Sequence, residues 1–278
     1  MPEQGARRGP SNLAQRAATA AVAVPVLLWL LFGAPPWAFL AFLSLITVLA
    51  ARELFAMTLP GQPLLQAWGA LATLTLFTAV LYGAATPLLP LALVATAIAG
   101  ALFALARPEP IDGAATRMGW LIAGPLYIGG LLGAAGLLFL RESGGAWLVL
   151  VMLLSWLADT GAYFSGRLFG KHKLYPIVSP KKTVEGAVGG LLGSLTGALL
   201  AHFWFLPSLS LAGALTLAVA AGTVGQAGDL CISLIKRSSG VKDSGSLLPG
   251  HGGLLDRIDA LLFTSALTWA YVEWPTVL

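Results

Sequence analysis

The chain has 278 residues, 57% of them apolar and 10% charged, with 16 Lys and Arg against 12 Asp and Glu and a formal net charge of +4. With a mean hydropathy of +0.83, this composition excludes a water-soluble globule, whose surface needs far more charge. The single cysteine, Cys231, excludes an intramolecular disulfide and a cysteine-rich metal site.

A helix needs about 20 apolar residues to cross the hydrocarbon core, and nine segments come near that length. In chain order they are 14–33, 36–51, 64–82, 87–106, 118–139, 146–165, 184–204, 209–230 and 257–273. The runs are continuously apolar and rich in Leu and Ala, unlike the alternating strands of a membrane β-barrel. The expected fold class is therefore all-α, a polytopic integral membrane protein of about nine transmembrane helices. The first run follows Arg7, Arg8 and Arg16. It exceeds a signal-peptide core and precedes no soluble domain, so a retained span is expected.

Residues 1–140 join their spans by short Pro- and Gly-containing turns and carry few polar residues inside them; they read as membrane scaffold. Residues 141–278 carry Asp159, Glu185, Asp229, Asp256 and Asp259 in or beside the spans, with two long polar loops, and read as the catalytic region of one continuous membrane domain. Gly129 and Gly133, and Gly189, Gly193 and Gly197, recur at every fourth residue, a spacing that lets helix backbones approach.

Orientation follows from the rule that Lys and Arg in short loops stay cytoplasmic. With a cytoplasmic N-terminus and nine spans, every Lys and Arg except Arg141 falls at a cytoplasmic end or loop. The positive charge then suits anionic headgroups or nucleotide phosphates. Nucleic acid is a poor partner, because no basic soluble domain exists to hold it.

The first loop runs from Asp159 through Arg167, Lys171 and Lys173 to Ser179-Pro180-Lys181-Lys182-Thr183-Val184-Glu185-Gly186. Ser179 or Thr183 can cap the seventh helix, which leaves Lys181 and Lys182 near its positive end, where an anion is expected. Gly170-Lys171 lacks P-loop spacing. The second loop opens with Asp229, Ser233 and Lys236 at i, i+4 and i+7, one helix face carrying a carboxylate, a hydroxyl and an ammonium. Arg237, Lys242, Asp243, His251, Asp256, Arg257 and Asp259 follow. Asp229 and Asp256 are candidate ligands of a divalent cation, although Asp256 and Asp259 also suit a helix N-terminus. Lys236, Arg237, Lys242 and Arg257 supply charge for phosphates, and Gly250, Gly252 and Gly253 allow backbone amides to approach an anion. Headgroup anchoring alone has no use for the interleaved Asp243, His251 and Asp256.

Residues 233–259 closely resemble the signature of the phosphatidate cytidylyltransferase (CDP-diacylglycerol synthase) family, and residues 179–186 resemble its second recurrent segment. The resemblance implies transfer of a cytidylyl group from CTP to phosphatidic acid, giving CDP-diacylglycerol and pyrophosphate in phospholipid biosynthesis. It implies Mg2+, with K+ as a second cation, and a homodimer. The implied catalytic residues are Asp229, Asp256, Lys236, Arg237 and His251, with Asp229 and Asp256 on the metal. Ser179, Lys181, Lys182, Thr183, Lys242, Asp243, Gly252, Gly253 and Arg257 are then substrate-binding. The expected location is the cytoplasmic (inner) membrane of a prokaryote, with the site on the cytoplasmic side. An organic-anion transporter and a cytidylyltransferase for another lipid phosphate stand as alternatives; a transporter would show paired inverted repeats and charge near the midplane.

Overall fold

Prolines mark the first helix starts. A computed structural model describes residues 12–83, 86–247 and 252–277. After α1 (Asn12–Phe32), both α2 (Pro36–Thr58) and α3 (Pro63–Tyr82) begin on a proline, at a position where a missing N–H costs nothing. α4 (Leu88–Ala106) leads to a single 3-10 turn and then α5 (Ala114–Pro125). Pro125 cannot donate to the carbonyl four residues back. The helix widens into a π turn over Leu126–Gly130 and resumes as α6 (Leu131–Phe139).

α7 (Gly144–Phe169) is followed by the strands β1 (Lys173–Tyr175) and β2 (Ser179–Thr183), an antiparallel hairpin with Lys173 opposite Thr183 and Tyr175 opposite Ser179. This hairpin is the departure from the all-helical expectation among the described residues. α8 (Val184–Leu200) ends in a second π turn, and α9 (Leu211–Ser238) and α10 (Leu255–Val277) complete the chain. α9 outruns its expected end at residue 230 by two turns. It stops where Gly240 adopts a φ of +72°, which lets Val241 N–H reach the Lys236 carbonyl at 2.9 Å.

Seven helical segments among the described residues are long and apolar enough to cross a membrane: α2, α3, α4, the composite 111–139, α7, α8 with its π turn, and α9. A count of nine requires α1, with 21 residues, and α10, with 23, to cross as well. Leu105, Phe203, Trp204 and Trp37 are more than two-thirds exposed, as expected where lipid rather than water covers the surface.

Two packing features position the polar end. The ring of Phe55 on α2 is fully buried in a slot made by Gly69 on α3 and Gly124 on α5, where a Cβ would come within 2.6 and 2.7 Å of it. α8 lies against α7 along Gly189, Gly193 and Gly197: a Cβ at Gly193 would sit 2.0 Å from the Leu157 carbonyl oxygen. Both contacts need glycine because backbone or ring fills the space a side chain would take. α10 packs on α9, α6 and α7, and Ser155 on α7 meets Thr264 on α10 at 3.3 Å.

Candidate active site

The hairpin and the starts and ends of four helices build one polar end. Thr183, the last residue of β2, caps α8: its Oγ1 accepts from Gly186 N–H at 3.0 Å. Ser179 belongs to β2, partly buried, and caps nothing. The Glu185 carboxylate, in the first turn of α8, accepts from the His172 backbone N–H and meets His172 Nδ1 at 2.7 Å, which ties the hairpin to the helix. Arg237, at the end of α9, joins the two basic loops. Its Nε donates to the Val178 carbonyl at 3.4 Å and its Nη1 to that of Val241 at 3.3 Å.

A cavity of about 510 Å³ opens between α7, α8, α9 and the hairpin. Asp159, Arg167, Lys181, Lys182, Gln226 and Asp229 face it. Lys182 Nζ lies 2.6 Å from Asp229 Oδ2, and Ser233 Oγ donates to Asp229 Oδ1 at 3.3 Å. The expected shared face of α9 therefore exists for Asp229 and Ser233. Asp159 on α7 and Asp259 on α10 both lie within electrostatic reach of Asp229, and of these Asp159 and Asp229 line the cavity. Gln226 holds α9 to α8 through the Ala187 carbonyl at 3.2 Å.

Asp256 has partners of its own. Its Oδ1 meets Lys236 Nζ at 2.5 Å, and its Oδ2 accepts from the backbone N–H of Ser244 at 2.9 Å and of Gly253 at 3.2 Å. Asp229 and Asp256 thus share no partner, and each is neutralised by its own lysine. Among the described residues no three His, Cys, Asp or Glu side chains close into a metal cage. The Gly253 amide, expected to face an anion, is committed to Asp256. Gly252 takes a φ of +81°, a conformation that favours glycine. Lys242 and Asp243 are exposed on the same loop, and His251 lies outside the described residues.

Arg257 faces a second cavity, of about 350 Å³, between α1, α2, α6, α7 and α10. Apart from Arg257 and Ser265 its walls are apolar, with Leu27, Phe42, Met152 and Leu261 among them. Arg257 also lies within electrostatic reach of Asp159, which lines the polar cavity.

Reading the sequence alone leaves three contributors unassigned. Arg167, whose Nη1 donates to Tyr163 Oη at 2.9 Å, and Gln226 carry no spacing signal. Glu53 is the third. It lies in the half read as scaffold, yet it is buried and bonded to Ser244, Leu254 and Leu255 at the start of α10. An acid five residues inside the end of an apolar helix was the available signal.

Residues 14–274 match the cytidylyltransferase family. Over 127 residues, 46% of this chain and 49% of the relative, the sequence is 48% identical to a protein from Staphylococcus saprophyticus named phosphatidate cytidylyltransferase. Proteins of the same name from Staphylococcus haemolyticus and Staphylococcus aureus strain COL are 46% and 44% identical over the same shares. The matched stretch spans about half the length of these curated relatives.

Proposed function

The chain belongs to the cytidylyltransferase family, and on that premise we propose that it transfers the cytidylyl group of CTP to phosphatidate, giving CDP-diacylglycerol and pyrophosphate. A phosphate monoester oxygen of the lipid attacks the α-phosphorus, the bond to the bridging oxygen of the β-phosphate breaks, and its electron pair leaves with pyrophosphate. The nucleophile is already an anion, so the protein's task is to bring two anions together and neutralise the charge gathering on the leaving group.

The observation that carries this reading is a polar and an apolar cavity whose lining residues Asp159 and Arg257 lie within electrostatic reach of each other. The polar one presents Arg167, Lys181 and Lys182 beside Asp229, a lining suited to nucleotide phosphates. The apolar one includes Arg257 in its lining, a set suited to an acyl chain with its phosphate at the arginine. Mg2+ takes oxygen ligands and is usually held by one or two carboxylates together with substrate phosphates. The all-carboxylate donor set fits that habit better than a closed cage. Asp229 and Asp256 would hold it, with Lys182 and Lys236 passing to phosphate oxygens, and the ion would neutralise phosphate charge. Asp159 and Asp259 supply further negative charge for a second cation such as K+. The reading further includes a homodimer in a prokaryotic cytoplasmic membrane, N-terminus and site on the cytoplasmic side.

The test is conversion of labelled CTP to CDP-lipid by purified protein in mixed micelles with phosphatidate. Product is expected with Mg2+ and none with EDTA. Absence of product from well-folded protein, with polyprenyl phosphate accepted in its place, would replace the lipid; absence with both would overturn the reaction.

A further inference from the structure

Glu53 has no task in the reaction as set out above. Its side chain belongs to α2, the helix locked by the buried Leu54 and Phe55. Burying a carboxylate is unfavourable unless its oxygens find donors. Here Oε2 accepts from Ser244 Oγ at 2.8 Å and from Leu255 N–H at 2.8 Å, and Oε1 accepts from Leu254 N–H at 2.9 Å. No Lys, Arg or His pairs with it among the described residues.

All three donors come from one loop, and from both of its ends. Ser244 lies six residues past the end of α9, and Leu254 and Leu255 are where the loop becomes α10, whose first amides have no partner within the helix. The same two ends present the Ser244 and Gly253 amides to Asp256. The loop backbone also closes on the carboxyl: a Cβ at Gly253 would lie 2.5 Å from Glu53 Oε2, and one at Gly245 2.7 Å from Oε1. Two carboxylates therefore grip one loop, Glu53 from the rigid helix behind it and Asp256 from the site.

We infer that Glu53 is a positioning residue: it ties Ser244 to Leu254 and Leu255, and through the Ser244 and Gly253 amides it sets where the Asp256 carboxylate and Lys236 stand. This rests on the cytidylyltransferase reading for the consequence in turnover, though not for the clamp itself. Glu53→Gln replaces an acceptor oxygen with a donor nitrogen, so at least one of the three bonds is lost while size is kept.

The experiment combines steady-state kinetics with amide hydrogen exchange on full-length protein in micelles. In Glu53→Gln, the Mg2+ concentration for half-maximal activity should rise and kcat should fall, together on the order of 10–100-fold, the range seen when outer partners of ligand residues are removed. KM for CTP should change less than kcat, and exchange at residues 244–247 and 252–256 should accelerate while α7 and α8 keep their protection. A merely structural role would lower the unfolding midpoint and leave Mg2+ half-activation and loop exchange as in wild type, and that result overturns the inference. If Glu53→Gln does not fold, Ser244→Ala, which removes a single bond of the clamp, should show the same direction at smaller size; wild-type behaviour there overturns it equally. Should the wild type make no CDP-lipid, exchange in the variant still decides the clamp on its own.

Discussion

The two carboxylates proposed to hold a cation differ in how far water reaches them, and this separates what each does for folding from what it does for turnover. Asp256 and Lys236 have side chains 8% and 12% exposed, whereas Asp229 and Lys182 are each 27% exposed. Breaking a buried pair by neutralising one partner costs about 3–5 kcal/mol, because the other charge is stranded; a pair that water partly reaches loses less, because water takes up the stranded charge, and fully exposed pairs are worth only about 0–1 kcal/mol. Asp256→Asn should therefore lose turnover and also unfold at a clearly lower temperature, while Asp229→Asn loses turnover with a midpoint near wild type. Adding Lys236→Met to Asp256→Asn should restore much of the midpoint and none of the activity. Activity surviving in both single variants would remove these residues from the chemistry. Much of this was legible beforehand, since the i, i+4 spacing placed Ser233 on Asp229. The lysine partners were not, because Lys236 finds Asp256 across a 20-residue excursion. Glu53 finds Leu255 across 202 residues, and no local pattern encodes such a pairing.

At the scale of elements, the decisive contact is α8 on α7, because α7 brings Asp159, and α8 brings Gly186, Ala187 and the Lys182–Thr183 end of the strand before it, to the same cavity. Glycines every fourth residue announced close packing without naming the partner; the structure supplies α7 as that partner. Gly193→Val would place its Cβ 2.0 Å from the Leu157 carbonyl oxygen, which no rotamer relieves. Overpacking of this kind costs about 1–3 kcal/mol, and the helices must also part, moving Asp159 away from Asp229. The variant should unfold earlier and lose kcat more than it loses KM; a variant with wild-type kinetics would show that the cavity tolerates the shift. The hairpin, in contrast, was not legible. Its strands have three and five residues, with Pro180 and three lysines and no apolar alternation, so nothing of period two stands out. It forms because Glu185, Arg237 and the buried Val178 fasten it to its surroundings. The widened turn after Pro125 was similarly hidden, since a proline inside an apolar run signals a break without its geometry.

For the whole molecule, the question is whether charge sorts by side as the loop arithmetic expects. Arg141, the single basic residue placed on the far side, precedes α7, and it forms an ion pair with Glu273 near the end of α10. That contact brings the α6–α7 turn and the far end of α10 to one end of the bundle. Glu53, Lys182, Lys236 and Arg237 meet at the starts of α8 and α10 and the ends of α2 and α9. The two ends are thus distinct in charge, and the far end holds one basic residue against two acids, Glu142 and Glu273. A transporter would be expected to place its ionisable groups near the midplane between repeats, whereas here Glu53, Lys182, Lys236, Arg237 and Asp256 gather at one end. The sidedness has a direct test in cells carrying Cys231→Ser with one new cysteine, at Lys173 in the hairpin or at Glu142 in the far turn, both exposed. A membrane-impermeant maleimide should label Glu142→Cys in intact cells and Lys173→Cys only after permeabilisation. The opposite pattern would put the polar cavity outside the cytoplasm, away from any supply of nucleoside triphosphate, and the proposed reaction would fall with it.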